Sequence, residues 1–142
     1  MQTSIVFGRL NLIAGGIFLL LAAMGGMALG FTFDQHSIED GYHKLSEIRF
    51  YLREGHSHGM PMAMLNLIVG VTVDRLALSD KLKRITSILA VLTIFLPIGL
   101  ALKGAFGAPA NFPPVGMLGV LGFVGAAVLV FIGAVKIPAK AA

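Results

Sequence analysis

The chain has 142 residues, of which 56% are hydrophobic and 13% are charged, about half the charged fraction of an average soluble domain. It contains no cysteine, which excludes disulfides, thiolate metal ligands and cysteine nucleophiles. The net charge of +4 comes without any basic run interleaved with aromatics, so a nucleic-acid surface is excluded. In so apolar a chain, the positive excess instead indicates membrane topology and contact with anionic lipids of the bilayer.

Four apolar segments are each long enough to cross the hydrocarbon core of a bilayer, which is about 30 Å thick. We predict spans at residues 10–31, 60–78, 85–102 and 115–135. Together they use most of the chain and leave no room for a second domain. The sequence therefore predicts an all-α fold in which residues 1–142 form an integral membrane four-helix bundle. The first segment is longer than a usual signal-peptide core, so we expect an uncleaved span.

The connection between the first two spans is long and polar. Ser37 and Asp40 have the spacing of a helix N-terminus, and apolar residues then recur every three or four positions as far as Leu52. Gly55 is typical of a helix stop. The pattern predicts an amphipathic helix over residues 37–54, lying on the membrane surface or over the mouth of the bundle.

The distribution of positive residues predicts the orientation in the membrane. Both termini and the middle connection carry seven Lys or Arg residues, whereas the other two connections carry four. By the positive-inside rule, the N- and C-termini are cytoplasmic and the long first loop is periplasmic in a bacterial inner membrane.

Glycines recur at every third position of the fourth span. They are Gly116, Gly119, Gly122 and Gly125. Small residues let helix backbones approach closely in lipid, either within one chain or between subunits. Four spans alone make a thin bundle, so we also expect a homo-oligomer or a place in a larger membrane complex.

The best candidate for a functional site is the histidine- and methionine-rich entry to the second span. His56 and His58 precede Pro61, which is tolerated in the first turn of a helix, so both histidines are expected just outside that turn. Imidazole is a common ligand of haem iron, copper and zinc. Two other interpretations are open: a pair of wetted interfacial histidines, and a Cu(I) site that adds methionines. A helix would place Met60 and Met64 on one face but Met62 on another.

The stretch from His56 to Arg84 resembles the styrene oxide isomerase family of small four-span membrane proteins. It shares the His56-Ser57 pair at the entry to the second span and, at the same ungapped distance, the charged sequence Asp80–Arg84 before the third. The resemblance implies a trimer that holds haem b between neighbouring subunits, with His56 as axial ligand. In that family the ferric iron acts as a Lewis acid on an epoxide oxygen, and the epoxide rearranges to an aldehyde.

The chain departs from the family at the other functional positions. The family's Asn, Asp and Tyr fall here on Met62, Thr93 and Ala101, none of which can do the same work. Asn66 lies one turn beyond Met62 and would replace the Asn only with a shift in register. These departures leave the catalytic residues unknown and argue against epoxide isomerase activity.

We therefore expect a small membrane protein that binds haem b, with His56, His58 and Asn66 as cofactor-binding candidates and His56 as the metal ligand. The alternative is a cofactor-free structural accessory subunit of a respiratory, photosynthetic or oxygenase complex. If the chain is an enzyme, the resemblance implies a haem-dependent isomerase acting on a small apolar epoxide.

Overall fold

The computed structural model describes residues 6–32, 46–107 and 114–138, and the regular structure in these residues is entirely helical. The helices are α1 (Arg9–Phe31), α2 (Glu47–Thr72), α3 (Asp80–Leu92), α4 (Phe95–Ala105) and α5 (Pro114–Val135), with a 3-10 turn at Val73–Arg75. The predicted all-α class is confirmed for this part of the chain. Among the described residues, three segments are long and apolar enough to cross a membrane: Arg9–Phe31, Asp80–Ala105 and Val115–Val135.

Helix α2 occupies the centre of the molecule. It packs against α1 on one side and α4 on the other, while α5 packs against α3 and α4. The start of α1 lies beside the end of α2, where Gly8 meets Gly70. At the opposite end, Arg49 near the start of α2 reaches Leu29 in the last turns of α1. Helices α1 and α2 are thus antiparallel along nearly their full lengths.

Helix α2 differs from both elements predicted for its sequence. Ser46 caps it, accepting a hydrogen bond on Oγ from the Arg49 N–H at 3.3 Å, and the helix then continues unbroken to Thr72. The predicted end of a loop helix at residue 54 is therefore wrong, and residues 37–45 of that prediction lie outside the described residues. The second span, predicted at 60–78, corresponds to the last part of α2 and the 3-10 turn that follows it.

Gly55 indicated the end of one helix and Pro61 the first turn of another, but α2 runs through both positions. A Cβ on Gly55 would lie 3.0 Å from both the Ala101 Cβ and the Pro97 carbonyl oxygen, so glycine here permits close contact with α4. Pro61 lies inside α2 and lacks an N–H, so the helix continues without one backbone hydrogen bond.

The predicted third span, 85–102, is interrupted between α3 and α4. Pro97 has no N–H to donate to the Thr93 carbonyl, and the Leu96 N–H bonds to that oxygen instead at 3.1 Å. This tighter turn separates two helices that follow each other along the chain. The first and fourth predicted spans, 10–31 and 115–135, coincide with α1 and α5 to within a residue.

The glycines of α5 pack within the chain. A Cβ on Gly119 would lie 2.7 Å from the Leu96 Cα, and one on Gly122 would lie 2.7 Å from the Leu89 carbonyl oxygen. On the facing helix, a Cβ on Gly99 would lie 2.8 Å from the Gly116 Cα. Of the two interpretations of this stripe, intramolecular packing is the one that these contacts favour.

A buried polar network joins α1, α2 and α3. The Asn11 Nδ2 donates to the Asn66 Oδ1 at 3.0 Å and to the Ser87 carbonyl oxygen at 2.9 Å. The Asn66 Nδ2 donates in turn to the Ala90 carbonyl oxygen at 2.8 Å. Both asparagines are completely buried. Hydrogen bonds of this kind fix the register of helices in lipid, where apolar contact alone gives little specificity.

A carboxylate from the 3-10 turn caps the start of α1. Asp74 accepts hydrogen bonds from the backbone N–H groups of Val6, Phe7 and Gly8, at 3.1 to 3.3 Å. The Gly8 N–H is one of the first N–H groups of the helix, which have no partner within it, and the helix dipole favours a negative charge there. Val6 and Phe7 precede α1, so Asp74 also fixes the segment that leads into the helix, where Gly8 has no side chain to act as a cap.

Replacing Asp74 by alanine is expected to destabilise the protein by about 1–2 kcal/mol, because three N–H groups lose a charged acceptor. Asp80→Ala is the matched control, since Asp80 is an exposed acidic residue in the first turn of α3. That control should cost only about 0.3–1 kcal/mol. Unfolding by SDS in mixed micelles, followed by circular dichroism, measures both values. Equal losses in the two variants would contradict the capping role of Asp74.

Candidate ligand-binding cleft

A cleft of about 650 Å³ lies between α1, α2 and α4. Its volume falls within the range of about 300–1,000 Å³ that is typical of small-molecule and cofactor sites. The lining is apolar apart from three side chains: His56 and Arg49 from α2, and Thr32 at the end of α1. Gly55 and Gly59 also line the cleft, and because they lack side chains they leave the backbone of α2 exposed to it.

The His56 imidazole lies against the backbone of α1. A Cβ on Gly26 would stand 2.8 Å from the His56 Nε2, so glycine is needed to admit the ring. The Nδ1 atom lies 2.8 Å from the Ala22 carbonyl oxygen. A carbonyl only accepts, so Nδ1 carries the proton, and in the neutral ring Nε2 keeps its lone pair. Because Ala22 is near the middle of α1, the His56 ring lies about halfway along the length of that helix.

The Nε2 atom of His56 is available to a ligand. It makes no hydrogen bond within the described residues. All buried polar side-chain atoms of these residues have a hydrogen-bond partner, so the unpartnered Nε2 is not a buried atom and is accessible from the surface. Histidines that bind metals usually donate their other ring N–H to a carbonyl or carboxylate, which fixes the tautomer and the ring plane. His56 has this arrangement with Ala22.

His58 does not reach the cleft. Two residues along a helix correspond to about 200° of rotation, so it points away from His56. Its side chain is 41% exposed. The ring bonds through Nδ1 to the Glu54 carbonyl oxygen at 2.9 Å. Both histidines lie inside α2, whereas the sequence predicted them in the cap region before it.

Asn66 also lies outside the cleft. Its Oδ1 accepts from Asn11, and its Nδ2 donates to carbonyl oxygens of Met62 and Ala90 at 3.0 and 2.8 Å. An amide with its donors and acceptor engaged in this way holds helices together and has nothing left for a cofactor. We therefore remove Asn66 from the candidate site.

The methionines of the motif do not converge on His56. Met60 and Met64 are exposed on the outside of α2, Met62 is buried, and none of the three lines the cleft. Within the described parts of the chain, no three His, Asp or Glu side chains come together as a metal site. A free metal ion would find a single nitrogen ligand in the cleft. In haem, by contrast, the porphyrin supplies four nitrogen ligands to the iron, so the protein needs to supply only one or two.

Arg49 is a charged residue of the cleft that the sequence did not single out. It is only 8% exposed, and it lies two turns before His56 on the same face of α2. Its Nη1 donates to the Thr32 Oγ1 at 3.0 Å, and its Nη2 donates to the Leu29 carbonyl oxygen at 2.6 Å. The signal in the sequence was the seven-residue spacing of Arg49 and His56, which puts them on one side of a continuous helix.

The three positions at which the resemblance to the isomerases predicted functional residues do not come together in the structure. Ala101 lines the cleft, whereas Thr93 is fully buried and within 3.3 Å of the Asn66 amide. Met62 is buried away from the cleft. The chain matches no protein-family model, and comparisons with curated proteins and with solved structures also found no match.

Proposed function

We propose that the chain is a multi-pass membrane protein that binds haem b in the cleft, with the His56 Nε2 as axial ligand to the iron. The observation that carries this proposal is the state of His56: an oriented imidazole with an accessible Nε2 in an apolar cleft. The residues fit the group, because the apolar walls suit a porphyrin and the Ala22 carbonyl fixes the ring. Bound haem would supply an iron centre able to carry an electron or polarise an oxygen atom.

We propose that α2 is the fourth span and that the molecule is a four-helix bundle. Its polar residues keep its average hydropathy low, but two of them face inward: Asn66 is fully buried and His56 lines the cleft. Packing between α1 and α4 shields such groups from lipid. The distribution of positive residues supports an orientation with both termini in the cytoplasm of a bacterium and the first loop in the periplasm.

The proposal includes a homo-oligomer, as the resemblance to the isomerases implies. Helix α1 carries large exposed apolar side chains and also Gly16 and Gly30, which have nothing within 4 Å of a Cβ position. Such a surface suits either lipid or close contact with another helix. Epoxide isomerisation is not part of the proposal, because Thr93 and Ala101 replace ionisable residues of the family.

An absorption spectrum of the detergent-solubilised protein tests the proposal. We expect a Soret band in protein purified from haem-supplemented cells, and a pyridine haemochrome spectrum of b type with about one haem per chain or fewer. Protein that is purified without a Soret band, and that leaves the Soret band of added haemin the same as in detergent alone, would refute haem binding and favour the alternative of a cofactor-free accessory subunit.

A further inference from the structure

The positive charge of Arg49 has no acidic partner among the described residues. The ion pairs there join Glu54 to Arg53 and to His58, and none includes Arg49. Arg49 is nevertheless more than nine-tenths buried. Burying an unpaired charge is costly, and in membrane proteins such residues usually mark functional sites. Arg49 therefore needs an explanation beyond anchoring at the membrane surface, since an anchoring side chain would extend into water.

The end of α1 satisfies Arg49 only in part. Its two hydrogen bonds go to neutral oxygens, of Leu29 and Thr32, while a guanidinium has five N–H donors. The helix C-terminus contributes about half a negative charge. This leaves both donors and net positive charge at a side chain that lines the cleft. An anionic group of a bound molecule would complete the site, and a carboxylate matches the guanidinium best because it can bond in two places.

We propose that Arg49 binds the carboxylate of the molecule that occupies the cleft. This identification rests on the proposed function: if the molecule is haem b, the carboxylate is one of its propionates. Arg49 and His56 are two helical turns apart, about 10 Å along the axis of α2, with apolar side chains such as Leu52 beside them. The site thus pairs an iron ligand with a cation at separate points of one apolar cleft. This fits a cofactor that is apolar over most of its area and anionic at one edge.

Titration of apoprotein with haemin and with haemin dimethyl ester, in which both propionates are esterified, tests the proposal. The wild-type protein should bind haemin about 10- to 100-fold more tightly than the ester, as expected for loss of charge-assisted hydrogen bonds. Arg49→Gln should remove that preference by weakening haemin binding while leaving ester binding unchanged. Arg49→Lys keeps the charge and should retain part of the preference. The Soret band gives all these affinities.

Arg53→Gln is the matched control, because Arg53 lies on the same helix but outside the cleft and pairs with Glu54. It should preserve the preference for haemin. An equal loss for both porphyrins in Arg49→Gln, or no loss, would overturn the proposal.

A second pair of ligands separates this inference from haem binding itself. If the wild-type protein binds neither porphyrin, the proposed function fails, and native mass spectrometry with oleate and methyl oleate then decides about Arg49. A preference for oleate that Arg49→Gln abolishes would support a carboxylate site for a different apolar acid. Equal binding of the two by the wild-type protein would overturn it.

Discussion

Replacing His56 by alanine is expected to abolish haem binding, with the Soret absorbance falling below about a tenth of the wild-type value. Within the described residues, His56 is the histidine that lines the cleft, so nothing nearby can take its place as a nitrogen ligand. The cleft itself should survive, because its walls are formed by apolar contacts and by Gly55 and Gly59. Exogenous imidazole should therefore enter the enlarged space and restore part of the band.

His58→Ala is the matched control for this experiment. The two histidines are two residues apart in the same helix, but His58 is directed outward and bonds only locally to Glu54. We expect the His58 variant to keep a wild-type spectrum and haem content. Loss of the band in His58→Ala with retention in His56→Ala would reverse the assignment, and this would require α2 to be rotated by about half a turn.

Apolarity alone located α1 and α5, because both are long, nearly uninterrupted apolar segments whose ends are marked by polar or turn residues. Apolarity did not locate α2, because Gly55 resembles the end of a helix and the polar first part of α2, before Gly55, resembles a separate surface helix. What keeps α2 continuous is its position between α1 and α4, where Gly55 admits Ala101 at contact distance. A single sequence does not show which helix will be packed on both sides, so local stop signals misled the prediction.

The site was predicted in part, and the reason lies in the geometry of one helix. His-x-His lies on the turn of α2 that contributes His56 to the cleft, but the pattern alone did not distinguish His56 from His58. The sequence predicted that the helix starts after His58, so the seven-residue spacing of Arg49 and His56 carried no helical meaning. Because α2 is continuous, this spacing puts Arg49 and His56 on the same face, and the two-residue spacing puts His58 on the other. Asn66 was predicted to bind the cofactor because the sequence does not distinguish a polar residue that binds a cofactor from one that bonds to a neighbouring helix.

Replacing Asn66 by alanine is expected to destabilise the protein by about 1.5–3 kcal/mol. The change leaves one of the two Asn11 amide N–H groups without its acceptor in a fully buried position, while the other keeps its bond to the Ser87 carbonyl oxygen. The Ala90 carbonyl oxygen loses the Asn66 donor and keeps its bond from the Thr93 Oγ1. An unsatisfied buried group costs about 1–3 kcal/mol, while single hydrogen bonds between membrane helices average about 0.6 kcal/mol. Ser57→Ala, which removes an exposed hydroxyl on the same helix, should change stability by less than about 0.5 kcal/mol.

A double-mutant cycle with Asn11→Ala separates the network from simple loss of volume. Because Asn11 and Asn66 bond directly, the two substitutions together should cost about 1 kcal/mol less than the sum of their separate effects. SDS unfolding of the four proteins measures this coupling, and strict additivity would contradict a shared network. The same samples test the division between scaffold and site. Since Asn66 lies outside the cleft, its alanine variant should keep the Soret absorbance per folded protein that His56→Ala loses.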